Sequence, residues 1–224
     1  NHFGKVQKVQ EQIISSYMDD ISKYASSSEK PKVKNCYMSV TKQLAKENKK
    51  FQFSVVESKA TARKYENSIE WLRDAGLVWL CKNVSACQFP LVGYENEKFY
   101  KMYLTDLGLL VAMYGFEIKQ AILDDTLTGP VKCGIYENLI ADILMKSHHS
   151  LHYYQNKNLG IEFLIEQNAK VIPVEVKAGN NRSQSMNQLL KDEKIPYGYK
   201  FVNGNCGMNG KKITLPLYLA MYVD

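Results

Sequence analysis

The chain has 224 residues, 45% of them hydrophobic and 23% charged, with a formal charge of +6. These are ordinary globular values that argue against disorder, and the length allows one large domain or two small ones. No apolar run approaches the ~18 residues that a membrane-spanning helix needs, so a spanning segment is excluded.

Residue 1 is Asn, and no leader with a basic and an apolar segment follows it, so the chain reads as a piece of a longer polypeptide. Its five cysteines are an odd number without a C-x-x-C pair. That usage fits reduced thiols in a cytoplasmic protein better than a disulfide frame or a zinc site. The positive charge is concentrated. Residues 31–64 carry nine basic side chains against Glu47 and Glu57, a local +7 that exceeds the whole chain's excess. Lys42, Lys46, Lys49, Lys50, Lys59, Arg63 and Lys64 lie in that stretch, and together they make a candidate phosphate-binding surface that would not read base sequence.

In chain order, Val6 to Tyr24 predicts a helix, with Val9, Ile13, Ile14, Tyr17 and Ile21 at helical spacing. Ser26 to Pro31 is a linker by composition. A second helix is predicted from about Val33 to Glu47. A third begins near Thr61, with Ala62, Tyr65, Ile69 and Leu72 on one face, and stops at Gly76. Leu77 to Leu80 and Phe99 to Leu104 read as strands, Lys101 and Tyr103 of the latter alternating with apolar neighbours. Helices followed by a two-stranded ribbon follow the order of a winged-helix domain. A short helix, Asp106 to Tyr114, then leads to the loop around Asp124, Asp125, Gly129 and Pro130, the best candidate boundary. Beyond it come a helix (Cys133 to Lys146), strands (Leu151 to Gln155, Ile161 to Ile165, Val171 to Lys177), a helix (Gln184 to Lys191) and strands (Tyr199 to Val202, Ile213 to Leu217). This is an α+β chain, with a connector at 1–31, a winged-helix domain at 32–128 and an α/β domain with a central mixed sheet at 129–224.

The two apolar runs at 161–165 and 171–177 flank a polar loop, as in an antiparallel hairpin. With its turn between Asn168 and Ala169, Ile165 faces Ile172, Phe163 faces Val174 and Ile161 faces Val176. The same register sets Glu162 opposite Glu175, where two carboxylates would repel unless a cation lay between them. Lys177 projects from the face of Glu175 and is placed to stabilise a transition-state oxyanion. Glu137 sits at the edge of the apolar arc of its helix and leans toward the hairpin. Oxygen-rich carboxylate sites take magnesium or manganese, so Glu162 and Glu175 are candidate ligands for either ion. Two other motifs carry less. His148, His149 and His152 straddle a helix end and a strand start, poor geometry for a shared metal. Gly204 to Lys212 is not a Walker motif, since Lys212 stands where Ser or Thr is required.

Glu137, Glu162 and Glu175-Val176-Lys177, in this element order, resemble the PD-(D/E)-x-K, or restriction-endonuclease-like, fold. The whole chain resembles the C-terminal region of a group of bacterial and archaeal AAA+ ATPases, in which a P-loop core precedes a winged helix and a nuclease-like domain of unknown function. The strings that carry this likeness are Tyr17 to Ile21, Tyr65 to Asn67, Trp71 to Val78, Met102 to Leu110, Tyr136 to Asn138 and Ile172 to Gly179. Glu162 stands where that pattern usually has Asp, one methylene shorter. The resemblance implies catalytic roles for Glu137, Glu162, Glu175 and Lys177, with an ATPase core of the same polypeptide and DNA as partners. An oligomeric assembly is compatible with it. It implies no cofactor-binding residues and no ATPase activity in this stretch, which holds no P-loop. A protein-interaction module is the competing expectation.

Overall fold

The computed structural model describes residues 2–179 and 183–223. Its elements are α1 (His2–Tyr24), α2 (Lys30–Leu44), α3 (Phe53–Val56), α4 (Ala62–Asp74), β1 (Val78–Val84), β2 (Glu95–Leu104), α5 (Leu107–Tyr114), α6 (Phe116–Leu123), α7 (Gly129–Lys146), β3 (His152–Gln155), β4 (Gly160–Gln167), β5 (Lys170–Lys177), α8 (Gln184–Leu189), β6 (Gly198–Val202), β7 (Gly207–Asn209) and β8 (Lys212–Pro216). A helical N-terminal region is followed by an α/β region. Its mixed eight-stranded sheet has the order β2-β1-β3-β4-β5-β6-β8-β7. The α+β expectation matches this architecture. Packing divides the chain into two units of two segments each: Asn1–Trp79 with Met102–Ile135, and Leu80–Lys101 with Tyr136–Asp224. The divisions fall inside β1, β2 and α7.

In the first unit, Pro31 sits in the first turn of α2, where its missing N–H interrupts no helical bond. The predicted face of α4 is buried at Tyr65, Ile69 and Leu72, and α2 contributes Val33, Tyr37, Val40 and Leu44 to the buried apolar set. Helix α1 forms where the spacing predicts it, but its apolar positions are not all buried. Val9 and Ile13 are exposed at 54% and 38%, whereas Gln7 lies on the buried side and donates to Ala112 O at 3.0 Å. Its NH2 group, which also donates to Glu11 Oε1 at 2.9 Å, lets an amide occupy a buried position that apolar spacing alone would give to valine, although its Oε1 has no hydrogen-bond partner. Gly115, at φ 101, ends α5 and opens α6, so a helix stands at 116–123 where sequence periodicity gave no element.

The second unit contains the hairpin. Asn168 and Ala169 have φ of 49° and 57°, both positive, as a tight two-residue turn requires. The ladder then pairs Gln167 with Lys170, Ile165 with Ile172 and Phe163 with Val174, the register read from the sequence. Phe163, Ile165, Ile172 and Val174 are fully buried, each contributing about 1.5–3 kcal/mol of apolar transfer. The outer part differs. The β4–β5 ladder ends at Phe163 and Val174, so the expected pairs Glu162–Glu175 and Ile161–Val176 lie past its end. The cause is on the other side of β4. His152 pairs with Leu164 but Tyr154 with Ile161, so two residues, Glu162 and Phe163, oppose Tyr153 alone. This bulge bends the strand and re-aims its side chains. Pro173 is tolerated in an interior strand because the ladder from β5 to β6 begins only at Val174.

Candidate active site

The bulge and the strand after it decide where the carboxylates go. Past the end of the ladder, the Val176 N–H donates to Glu162 Oε2 at 3.4 Å, so a side chain replaces the strand partner. Lys177, two residues beyond Glu175, returns along the strand, and its Nζ lies 3.1 Å from Glu162 Oε1 and 3.4 Å from Glu175 Oε1. Glu162 and Glu175 thus meet on one ammonium group. Glu175 is buried, and its Oε2 has no hydrogen-bond partner. Glu162 and Lys177 keep 18% and 19% of their side-chain surface, which leaves this end of the cluster open to solvent.

Glu137 arrives from α7 and is buried, its Oε2 3.3 Å from Lys101 Nζ. Lys101 comes from β2, and its ammonium lies 5.0 Å from the ring centroid of Tyr153 and 5.9 Å from that of Phe163. Lys101 and Tyr103, which alternate with apolar neighbours along the strand, are both buried. The signal that could have found Lys101 is its position inside Tyr100 to Leu104, a run otherwise apolar or aromatic. A lysine so placed requires a buried anion.

The five groups act on one another electrically. Burial is the largest influence on Glu162 and holds its carboxyl above the usual range; Lys177 and Lys101 pull it down, Glu137 and Glu175 push it up. Burial would lower Lys177, but the Glu162 and Glu175 carboxylates outweigh it and raise its pKa. Lys101 is raised in the same way, chiefly by Glu137. Next to it the Cys81 thiol is pushed up to about 12 by burial, which keeps it protonated and unreactive as a nucleophile.

Among the described residues, no group of three or more His, Cys, Asp or Glu side chains has a metal-holding arrangement. The three histidines go separate ways: His149 Nε2 contacts Val223 O and His152 Nε2 contacts Glu95 Oε1, while His148 sits at positive φ after α7. The basic stretch of the first unit is also sorted by burial. Lys42, Lys46, Lys59, Arg63 and Lys64 are exposed, Lys50 is half-buried and Lys49 is buried. Lys64 is paired with Glu57 at 2.7 Å, and Lys46 donates to Gln52 Oε1 at 3.3 Å.

A family model described as a domain of unknown function, DUF8612, matches residues 3–120, more than half of the chain. The chain belongs to the DUF8612 family. Following the DUF8612 match, residues 132–219 match a second domain of unknown function, DUF4143, a kind of domain commonly found C-terminal to AAA ATPase domains. That second match spans Glu137, Glu162, Glu175 and Lys177 but not Lys101, which lies within the DUF8612 match. No curated protein and no solved structure shows a significant match to the chain. No helix among the described residues is long and apolar enough to cross a membrane.

Proposed function

We propose that this chain is an accessory region C-terminal to a cytoplasmic AAA+ ATPase core, and that its second unit is a nuclease-like domain acting on DNA with magnesium or manganese. The observation that carries the reading is the meeting of Glu162 and Glu175 at Lys177, with Glu175 Oε2 buried and unpartnered. That orphaned oxygen and the all-oxygen donor set suit a hard divalent cation, and magnesium commonly uses only one or two carboxylates, keeping water in its other positions. Glu162 and Glu175 would hold the ion, which supplies Lewis-acid polarisation of a phosphoryl oxygen and a more acidic bound water. Lys177 would stabilise charge developing on the phosphoryl oxygens, and Glu137, anchored by Lys101, would add negative potential behind the site. Toward the N-terminus, the helical first unit would hold phosphates through its exposed Lys42, Lys46 and Arg63 without reading sequence. ATP chemistry belongs to the core, because no phosphate-cradling loop is present in this chain.

A second reading is favoured by Lys177 itself. Paired to both carboxylates, it balances their charge as a structural cation would, and the region then acts as a non-catalytic module that sets partner choice or oligomeric state for the ATPase. Thermal melting with manganese or magnesium separates the two, since a ligand that binds only the folded state raises the melting temperature. On the nuclease reading the ion raises it, Glu175→Ala abolishes the shift, and Lys177→Ala keeps the shift but stops cleavage of single-stranded and duplex DNA. Melting curves indifferent to both metals, with no cleavage of either substrate, would leave the module.

A further inference from the structure

Past the carboxylate cluster, the same face of the sheet continues as a cationic surface. Glu175 on β5 pairs with Lys200 on β6, and Lys200 with Thr214 on β8, so the three side chains leave one face of the sheet. Neighbouring strands set them roughly 5 Å apart. Lys212, two residues before Thr214, shares that face. Gly198 lets α8 approach there: a Cβ on it would meet Met186 Sδ at 2.7 Å. Two grooves flank Lys200. One is lined by Lys177, Lys200 and Thr214 together with the Gly204–Asn205 turn, and the other by Lys200, Lys212, Lys191 and the Asn187 and Gln188 amides. Both grooves have Lys200 in their lining, so together they mark out a path from the Lys177 ammonium at the cluster, past Lys200, to Lys191 beyond α8. Among the described residues, its lining holds four lysines and several amides but no aromatic ring and no carboxylate.

We infer that this path binds the sugar–phosphate backbone of a single nucleic-acid strand leading away from the carboxylate cluster, an assignment that rests on the nuclease reading for its direction. Lysines and amides at strand spacing satisfy phosphate oxygens. The absence of rings among the lining residues removes base stacking as a source of sequence preference. An acidic peptide is disfavoured, because the grooves offer its side chains no aromatic or large aliphatic floor.

The test is fluorescence anisotropy of a labelled oligo(dT) strand in EDTA, so that binding is read without chemistry. The full chain carries Lys42→Glu, Lys46→Glu and Arg63→Glu to silence the basic surface of the first unit. Adding Lys191→Glu, Lys200→Glu and Lys212→Glu is expected to weaken binding at least tenfold. The slope of log affinity against log salt should fall by about 0.7 for each phosphate that the protein no longer neutralises. Should the triple reversal disturb folding, Lys191→Glu alone, at an exposed position, is expected to weaken binding two- to threefold with a smaller slope. Unchanged affinity and slope in these variants overturns the path, as does displacement of the strand by polyglutamate at equal charge concentration. Binding abolished on reversal, in a protein that cleaves nothing in manganese, leaves the path standing and removes the nuclease. Cleavage by a chain whose reversal alters neither binding nor salt slope does the opposite.

Discussion

Glu137, Glu162 and Glu175 bring three carboxylates into one region of the second unit, and Lys101 and Lys177 bring two ammonium groups. With every group ionised, the cluster carries one uncompensated negative charge. A proton is one way to neutralise it, and Glu162, whose carboxyl burial holds above the usual range, is the group that would take it. A divalent cation is the other. Lys101 matters to this balance because it and Glu137 are both buried and 3.3 Å apart, so neither has water to fall back on. Lys101→Met should therefore destabilise the protein by about 3–5 kcal/mol, the cost of stranding a buried charge. Lys101→Met combined with Glu137→Gln should recover much of that loss, since it removes the stranded carboxylate. Urea unfolding of the two single variants and the double variant checks this; equal stability of Lys101→Met and the unsubstituted chain would show that Glu137 does not depend on Lys101.

At the scale of elements, the β4–β5 hairpin shows what sequence can and cannot carry. Its inner register was legible because two apolar runs of matched length flank a turn of two residues, and a slip by one would turn Phe163, Ile165, Ile172 and Val174 to the wrong face. The bulge at Glu162 and Phe163 was not legible, because it is set by pairing with β3 and leaves no mark in β4 itself. The ion pair of Lys101 was hidden for a related reason: alternation separates two faces without saying that both are buried. Strand β7, three residues long, is too short to show a period, and the buried face of α1 uses a glutamine amide that hydrophobic spacing does not count. The turn offers a direct test. Ala169 has φ 57°, in the left-handed region, which costs a residue with a Cβ about 1–2 kcal/mol. Glycine relieves that strain at a smaller entropic cost. Ala169→Gly should thus stabilise the protein by about 0.5–1 kcal/mol, read as a higher urea midpoint with an unchanged slope. A lower midpoint would mean that Ala169 has contacts worth more than its strain.

For the whole molecule, the decisive feature is that the second unit is not contiguous in sequence. It takes Leu80–Lys101 from the N-terminal half and joins them to Tyr136–Asp224. Within this unit, Lys82, Asn83 and Val84 of β1 pair in parallel with His152, Tyr153 and Tyr154 of β3. Val84 and Leu91 share a buried apolar cluster with Ile161, Leu164, Val171 and Met186. A fragment beginning at residue 129 therefore lacks more than a connector. It leaves β3 as an exposed edge that bears Tyr153 and Tyr154, opens the apolar cluster, and deprives Glu137 of Lys101. Exposed strand edges of this kind pair with other copies. The fragment 129–224 is accordingly expected to retain secondary structure but to aggregate or melt without cooperativity. The full chain should melt in a transition that manganese shifts upward on the nuclease reading. Circular dichroism melting with size-exclusion chromatography of both proteins makes the comparison. A monomeric fragment that melts cooperatively, at the temperature of the full chain, would show that β1, β2 and Lys101 contribute nothing to the folding of the unit that carries the carboxylates.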